Sequence, residues 1–323
     1  MKKKSFESII SSLEKEGYSS KILEVKMKGP YTSKDSDWNY KDVPHLNIVH
    51  ESIQGVQPIV ANDYVGSINL TKLPIFGIEI PIVVVNYEYS EYNQVYYSSF
   101  GPFLIVVNTQ SIDIKEGVQV ISRFAVLNRP IFNFLVPLIM KIIKKNNDKL
   151  MSEDTPMRCR KADLRKINHD FYNPTSTYNF DFTEEIYRAN TFIRNGKSNI
   201  DININSIIEA SDKNIQIGEI DGIMSFFTTK VENRIFLWPT TCPHEGAKLS
   251  SNCLVDKRIL CPWHHRRISH LAEISMDRKI KIIPSIDYCI NIVSESVINI
   301  SYRNSPEYYN TKPYEIFRAK NLE

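Results

Sequence analysis

Cys242-Pro-His-Glu-Gly-Ala247 and, after a gap, Cys261-Pro-Trp-His264 are the stretches on which the reading of this chain turns. As a pattern they give C-x-H-x16-C-x2-H, two Cys/His pairs in two short loops. Pro243 and Pro262 stiffen the turns, and Gly246 follows the first pair. Two thiols and two imidazoles admit two chemistries. A structural zinc ion takes such a donor set, but C-x-H is an uncommon zinc half-site. A [2Fe–2S] cluster takes it with both thiolates on one iron and both imidazoles on the other. Neutral imidazoles leave that second iron less electron-rich, so it accepts the electron and the potential rises above that of an all-Cys cluster.

Both halves together, CPH-x-G-A before the gap and CPWH after it, resemble the Rieske motif. The resemblance implies that Cys242, His244, Cys261 and His264 hold a [2Fe–2S] cluster. High-potential respiratory Rieske proteins have two further Cys in these loops, where this chain has Ala247 and Trp263. The resemblance is therefore to the centres of Rieske oxygenases and their ferredoxins. His265 stands where that family often has Gly.

The chain has 323 residues, enough for two domains with real cores. Its hydrophobic content of 42%, charged content of 24% and net charge of +3 are ordinary for a soluble globular protein. Basic residues are scattered, so no nucleic-acid partner is implied. Five Cys leave three outside the motif, Cys159, Cys253 and Cys289, with no framework spacing. That pattern suits a reducing, cytoplasmic compartment without structural disulfides. The start, MKKKSFESIISSLEKEGY, reads as an amphipathic surface helix, because Glu7, Glu14 and Glu16 interrupt any signal-like apolar run. The longest apolar run, Pro130 to Ile143, is too short to span a bilayer. Peripheral membrane contact is left open by that run and is not expected.

After the first helix comes a segment rich in Gly, Pro, Ser and Asp, read as a loop to about Trp38. Then Asn39-Tyr-Lys-Asp42-Val-Pro-His45-Leu-Asn-Ile-Val-His50 gives N-x2-D-x2-H-x4-H. Asp42 is a good helix N-cap and Pro44 suits a first turn, so a helix carrying both His is expected. At ordinary helical pitch the two side chains would diverge by roughly 140°. A single metal ion could meet both only if the helix were bent or widened.

The spacing resembles the mononuclear iron motif of Rieske non-haem iron oxygenases. That resemblance implies His45 and His50 as Fe(II) ligands, Asp42 as the bridging, electron-relaying carboxylate, and Asn39 near the metal. A facial triad also needs a carboxylate. From Tyr64 onward β-branched and aromatic runs dominate, notably Gly77–Tyr89, Val95–Ile112 and Gly117–Leu127. A helix follows from Pro130 to about Leu150, then Ser152-Glu-Asp-Thr-Pro156. Strands around a long C-terminal helix resemble the helix-grip catalytic domain of the family, whose third ligand lies in a segment often reading E-D-x-P. Asp154 is therefore the expected third ligand, with Glu153 and Asp163 in reserve.

The expected fold is α+β. Residues 1–170 form a helix-grip (START/Bet v1-like) antiparallel sheet with a long C-terminal helix. Residues 171–202 are a linker or pocket cover, 203–303 a small all-β Rieske domain, and 304–323 a tail. This order reverses that of the oxygenases, which leaves open whether their trimer is kept; a homo-oligomer is expected.

The function implied is an oxygenase using O2 and externally supplied electrons to hydroxylate, dealkylate or desaturate a small apolar or aromatic substrate. No G-x-G-x-x-G occurs, so NAD(P)H would be used by a partner, a ferredoxin or flavin-dependent reductase or both, greeted by Arg266 and Arg267. Tyr87, Tyr89, Tyr92, Tyr96, Tyr97, Phe100 and Phe103 suggest an aromatic-lined pocket, though each is also good strand and core material. The alternative is a ligand-binding electron-transfer protein without oxygen chemistry, which would need neither the paired His nor Asp154.

Overall fold

A computed structural model describes residues 3–61, 64–72, 78–167, 169–171, 190–192, 199–213, 215–220, 224–242, 245–256, 258–265, 267–285 and 288–302. They fall into two compact units, one reaching to Ala162 and one starting at Asp163.

The first unit opens with helix α1 (Phe6–Lys15), capped by the Ser5 side chain on the Ser8 amide. Its apolar face, Phe6, Ile9 and Ile10, is buried against Tyr87, Val95, Val106 and Leu127. Next comes strand β1 (Ser19–Gly29), where a loop was expected. From Leu23 on, its half-buried and exposed residues alternate, with Lys26 and Lys28 outward. Such charges suit an edge strand.

Helix α2 (Ser33–Lys41) also replaces expected loop. Its start is a capping box: Asp35 accepts the Thr32 amide at 2.9 Å, and Thr32 accepts that of Asp35. A 3-10 turn (Val43–His45) and the short helix α3 (Leu46–Val49) follow.

Six strands complete the sheet: β2 (Ile53–Ala61), β3 (Tyr64–Lys72), β4 (Glu79–Ser90), β5 (Asn93–Phe100), β6 (Phe103–Ile114) and β7 (Gly117–Asn128). The run Val95–Ile112 thus divides in two, turning at Gly101, whose φ of 53° favours glycine. Every pairing is antiparallel, in the order β1-β7-β6-β5-β4-β3-β2.

A 3-10 turn (Pro130–Leu135) leads into helix α4 (Val136–Lys166), which runs well past the expected end near Leu150. Pro156 lies inside it and withdraws one amide from the helical ladder. Packing outweighs that loss, because Asp154, Met157, Arg158, Lys161 and Ala162 around it are all buried. A long helix behind a seven-stranded antiparallel sheet is the helix-grip fold. Among the described residues no helix is long and apolar enough to cross a membrane.

The second unit contains β8 (His169–Phe171) paired with β9 (Asn190–Phe192), then β10 (Asn199–Asn203), α5 (Ile204–Lys213), β11 (Ile217–Ile220), β12 (Met224–Val231) and β13 (Arg234–Pro239). Short strands β14 (Leu254–Val255), β15 (Arg258–Leu260) and β16 (Arg267–Ile268) form one small sheet. Strands β17 (Ala272–Ser275) and β18 (Ile280–Ile282) extend β11-β12-β13. The hairpin β19 (Tyr288–Ser294) and β20 (Val297–Tyr302) pairs with β10. Ile202, Ile207, Phe226, Ile235, Leu237 and Ile300 are among the side chains of one core cluster in this unit.

Candidate functional site

His45 closes the 3-10 turn, and His50 follows the last residue of α3. The helix expected to carry both stops after four residues. His50 then takes an extended backbone, φ −97° and ψ 109°, and this break removes the angular divergence of a regular helix. Asp42 ends α2 and makes no side-chain cap to the turn after it, contrary to its expected role.

The two imidazoles meet with Nε2 atoms 3.2 Å apart. Asp154, from α4, places Oδ1 3.3 Å from each of them. The three residues are at most 4% exposed.

What surrounds the three donors fixes them. His45 Nδ1 contacts the Asp42 carbonyl oxygen and lies 3.5 Å from Asp42 Oδ2. His50 Nδ1 donates to Glu153 Oε2 at 2.7 Å, so this reserve ligand orients a histidine instead. Such bonds set the tautomer that leaves Nε2 free. Asp163, the other reserve, is paired with Lys166 at an exposed position and takes no part.

Arg158, one turn beyond Asp154 and fully buried, was not foreseen. Its Nη2 lies 3.4 Å from Asp154 Oδ2, while Nε and Nη2 donate to Asn39 Oδ1 at 2.9 and 2.6 Å. Asn39 therefore holds the arginine that holds the carboxylate. Burial alone would push the His45 imidazolium down, yet Asp154 and Asp42 raise it to about 10. Asp154 is pulled the other way: burial would raise it, but both imidazoles and Arg158 hold it well below the carboxylate range.

These donors sit in the wall of a cavity of about 320 Å³. Ile80, Ile82, Val84 and Val107 from the sheet and Ile139 and Ile142 from α4 form much of the rest. Of the aromatic residues singled out in the sequence, Tyr96 and Phe100 line it. Tyr87 and Tyr97 pack with α1 instead, Phe103 lies in the core with Val136, and Tyr89 is exposed. Strand alternation sends neighbouring aromatics to opposite faces, which residue type alone does not reveal.

In the second unit Cys242 and Cys261 are fully buried at the starts of their loops. The Gly246 amide donates to the Cys242 carbonyl, that of Cys242 to Ala247, and that of His265 to the Cys261 carbonyl. Positive φ at Gly246 and His265 tightens both loops. His264 turns Nδ1 to within 3.9 Å of Cys261 Sγ. Burial and the neighbouring Cys242 thiol push the Cys261 thiol well up, so two such thiols are poor company unless a cation takes their charge. The donor set fits a [2Fe–2S] cluster. His244 and Arg266 lie outside the described residues; Arg267 is exposed on β16.

Comparison with known proteins agrees for this unit. Residues 205–286 match the Rieske [2Fe-2S] domain family. No curated protein sequence matches the chain. Solved structures similar to part of it include the di-domain aromatase/cyclase BexL (10% identity, TM-score 0.39) and the Zhui aromatase/cyclase from a Streptomyces species (7%, 0.40). Norcoclaurine synthase from Thalictrum flavum is a third (7%, 0.37). The matches cover 46, 44 and 45% of this chain and 53, 96 and 90% of those proteins respectively, so the chain spans about half of the di-domain protein. Residues 205–286 are thus a Rieske [2Fe–2S] domain, in one chain with a helix-grip fold.

Proposed function

We propose that this protein is a Rieske-type oxygenase, with Fe(II) held by His45, His50 and Asp154 and a [2Fe–2S] cluster held by Cys242, His244, Cys261 and His264. The observation that carries the reading is the convergence of three buried donors, with Asp154 Oδ1 3.3 Å from each of two imidazole Nε2 atoms. Two neutral imidazoles and one carboxylate are the donor set of non-haem Fe(II) oxygenases. Iron there would supply O2 activation, and the cluster would supply electrons one at a time.

The chain's own residues have separable tasks. Glu153 and Asp42 hold the far nitrogens of the two rings, keeping Nε2 directed at the metal position. Arg158, with Nη2 3.4 Å from Asp154 Oδ2, would hold that oxygen and leave Oδ1 available to the metal. Apolar residues from β4, β6 and α4 exclude water and receive the substrate. Electrons would come from a ferredoxin or a flavin-dependent reductase.

The test is iron and acid-labile sulfide per chain on anaerobically purified protein, with EPR after dithionite reduction. About three irons to two sulfides with a Rieske signal is expected. About two to two, unchanged after soaking in Fe(II), would overturn the mononuclear site and leave a redox protein with a ligand cavity.

A further inference from the structure

The 3-10 turn Pro130–Leu135 and the first turns of α4 are apolar outside as well as inside. Inward, Val136, Ile139 and Ile142 are buried, as the period of an amphipathic helix requires. Outward, where a helix of a globular protein is ordinarily polar, stand Ile131, Phe134 and Leu138, which are 75, 75 and 40% exposed. Large apolar side chains grouped in this way on a surface mark an interaction site.

The protrusion is built into the backbone. The buried Asn128 side chain donates to the Arg129 carbonyl at 2.7 Å and to Asn133 Oδ1 at 2.9 Å. The Phe132 amide also donates to the Arg129 carbonyl, and the Phe132 ring packs edge-on against Phe103. An ordered turn therefore presents Ile131 and Phe134, and a surface that takes them up meets little ordering cost.

The charge behind this tip has one sign. Between Glu116 and Asp148 the chain holds no acidic residue, but it holds Arg123, Arg129, Lys141, Lys144 and Lys145. Arg123 is committed to Glu7, Arg129 to the Glu16 carbonyl and the Tyr18 ring, and Lys144 to Asp148. Lys141 and Lys145 are exposed and form no ion pair among the described residues. Phe134, Leu138, Lys141 and Lys145 follow one another at the spacing of one helix face.

An apolar tip with lysines one and two turns behind it is complementary to a bilayer carrying anionic headgroups. Ring and alkyl groups enter the acyl boundary, while the flexible lysine stems carry their ammonium groups to the phosphates and carboxylates above it. A second copy of the chain suits this face less well, because a two-fold contact would set one basic stripe against the other. The apolar run alone does not carry the reading, since part of it is core; the residues left outside do.

We infer that residues 130–145 dock the protein on anionic membrane surfaces, with Ile131, Phe134 and Leu138 inserted among the lipids and Lys141 and Lys145 at the headgroups. Ile139 and Ile143, on the same turns of α4, line the cavity, so docking brings the cavity wall close to the bilayer. The inference concerns the outer surface and does not depend on the oxygenase reading.

The experiment is flotation of the full chain with vesicles of phosphatidylcholine alone or of equal parts phosphatidylcholine and phosphatidylserine, beside light scattering of the vesicle-free protein. Binding to the mixed vesicles is expected to exceed binding to the neutral ones and to weaken as salt is added. The double variant Ile131→Ser, Phe134→Ser should lower partitioning onto mixed vesicles by at least about tenfold. Lys141→Gln and Lys145→Gln should each lower it by about fivefold. All four positions are exposed, so the variants should keep the Tm and the visible spectrum of the unaltered chain, which separates lost docking from lost folding. No binding to mixed vesicles would overturn the inference, as would equal binding to both vesicle types or partitioning unchanged in the double variant. So would self-association of the vesicle-free chain that Phe134→Ser abolishes, since the face would then be covered by a second copy. Iron content enters none of these readouts, so the inference and the oxygenase reading fail separately.

Discussion

Replacing Arg158 by Met removes a charge that the fold has closed over completely, and the cost can be estimated from its contacts. At an effective dielectric of about 20, a guanidinium nitrogen 3.4 Å from Asp154 Oδ2 is worth about 5 kcal/mol of Coulomb attraction. The two bonds to Asn39 Oδ1, at 2.9 and 2.6 Å, add about 1.5–3 kcal/mol each. Relief from burying the guanidinium returns several kcal/mol. Removing one partner of a buried pair then leaves a net loss of about 3–5 kcal/mol, because Asp154 and Asn39 stay behind.

Hydrogen exchange read by mass spectrometry localises the loss to the helix-grip unit. Amides of β6 and β7 in the metal-free variant should exchange about 100- to 4000-fold faster, each 1.4 kcal/mol being a factor of ten. Amides of β19 and β20 serve as the internal reference. Arg158→Lys keeps the charge but loses the planar fork, and should fall between the two. Acceleration below about tenfold in the Met variant would refute the claim that this guanidinium braces Asp154 and Asn39.

Three further outcomes are expected. Asp154→Asn should weaken metal binding at the His45–His50 pair by more than about 100-fold, since losing a ligand exceeds the effect of losing an outer partner, while the cluster's optical spectrum is retained; metal analysis and visible absorption check both halves. Gly117→Ala should lower stability by about 2 kcal/mol or more, seen as a lower Tm, because a Cβ there would lie 2.1 Å from the Gly29 carbonyl oxygen at a φ of 130°. For pH, His45 is raised from 6.5 to about 10, so its contribution to the metal-free fold is complete below about 6.5 and lost as pH rises through about 10. The Tm of metal-free protein should therefore fall between pH 7 and 10, while Zn²⁺ binding at pH 8 releases about one proton, measured by titration in two buffers.

Much of this architecture could be read from residue patterns, and the failures have identifiable causes. The Cys/His pairs are local, with ligands two or three residues apart, so their spacing survives as a pattern. His45 and His50 are also local, but their convergence depends on α3 ending at Val49, which the pattern does not encode. Asp154 was found through the tetrapeptide around it, although Pro156 suggested a helix end that packing of Met157, Arg158 and Lys161 overrides. Arg158 gave no signal at all: its partner Asn39 is 119 residues away, and a lone arginine on a helix usually faces solvent. Strand β1 and helix α2 were missed because Lys, Ser and Asp dominate them, and their order comes from edge pairing and from the Thr32–Asp35 cap.

Of the proposed metal donors, His45 closes a 3-10 turn, His50 follows α3 and Asp154 stands on α4, whereas much of the cavity wall belongs to the sheet. Inward positions on β3 to β7 can therefore change size or polarity, one pleat at a time, without displacing an imidazole or Asp154. Such a division makes the scaffold evolvable: new guests can be accommodated by drift in the strands while the reactive end is inherited intact.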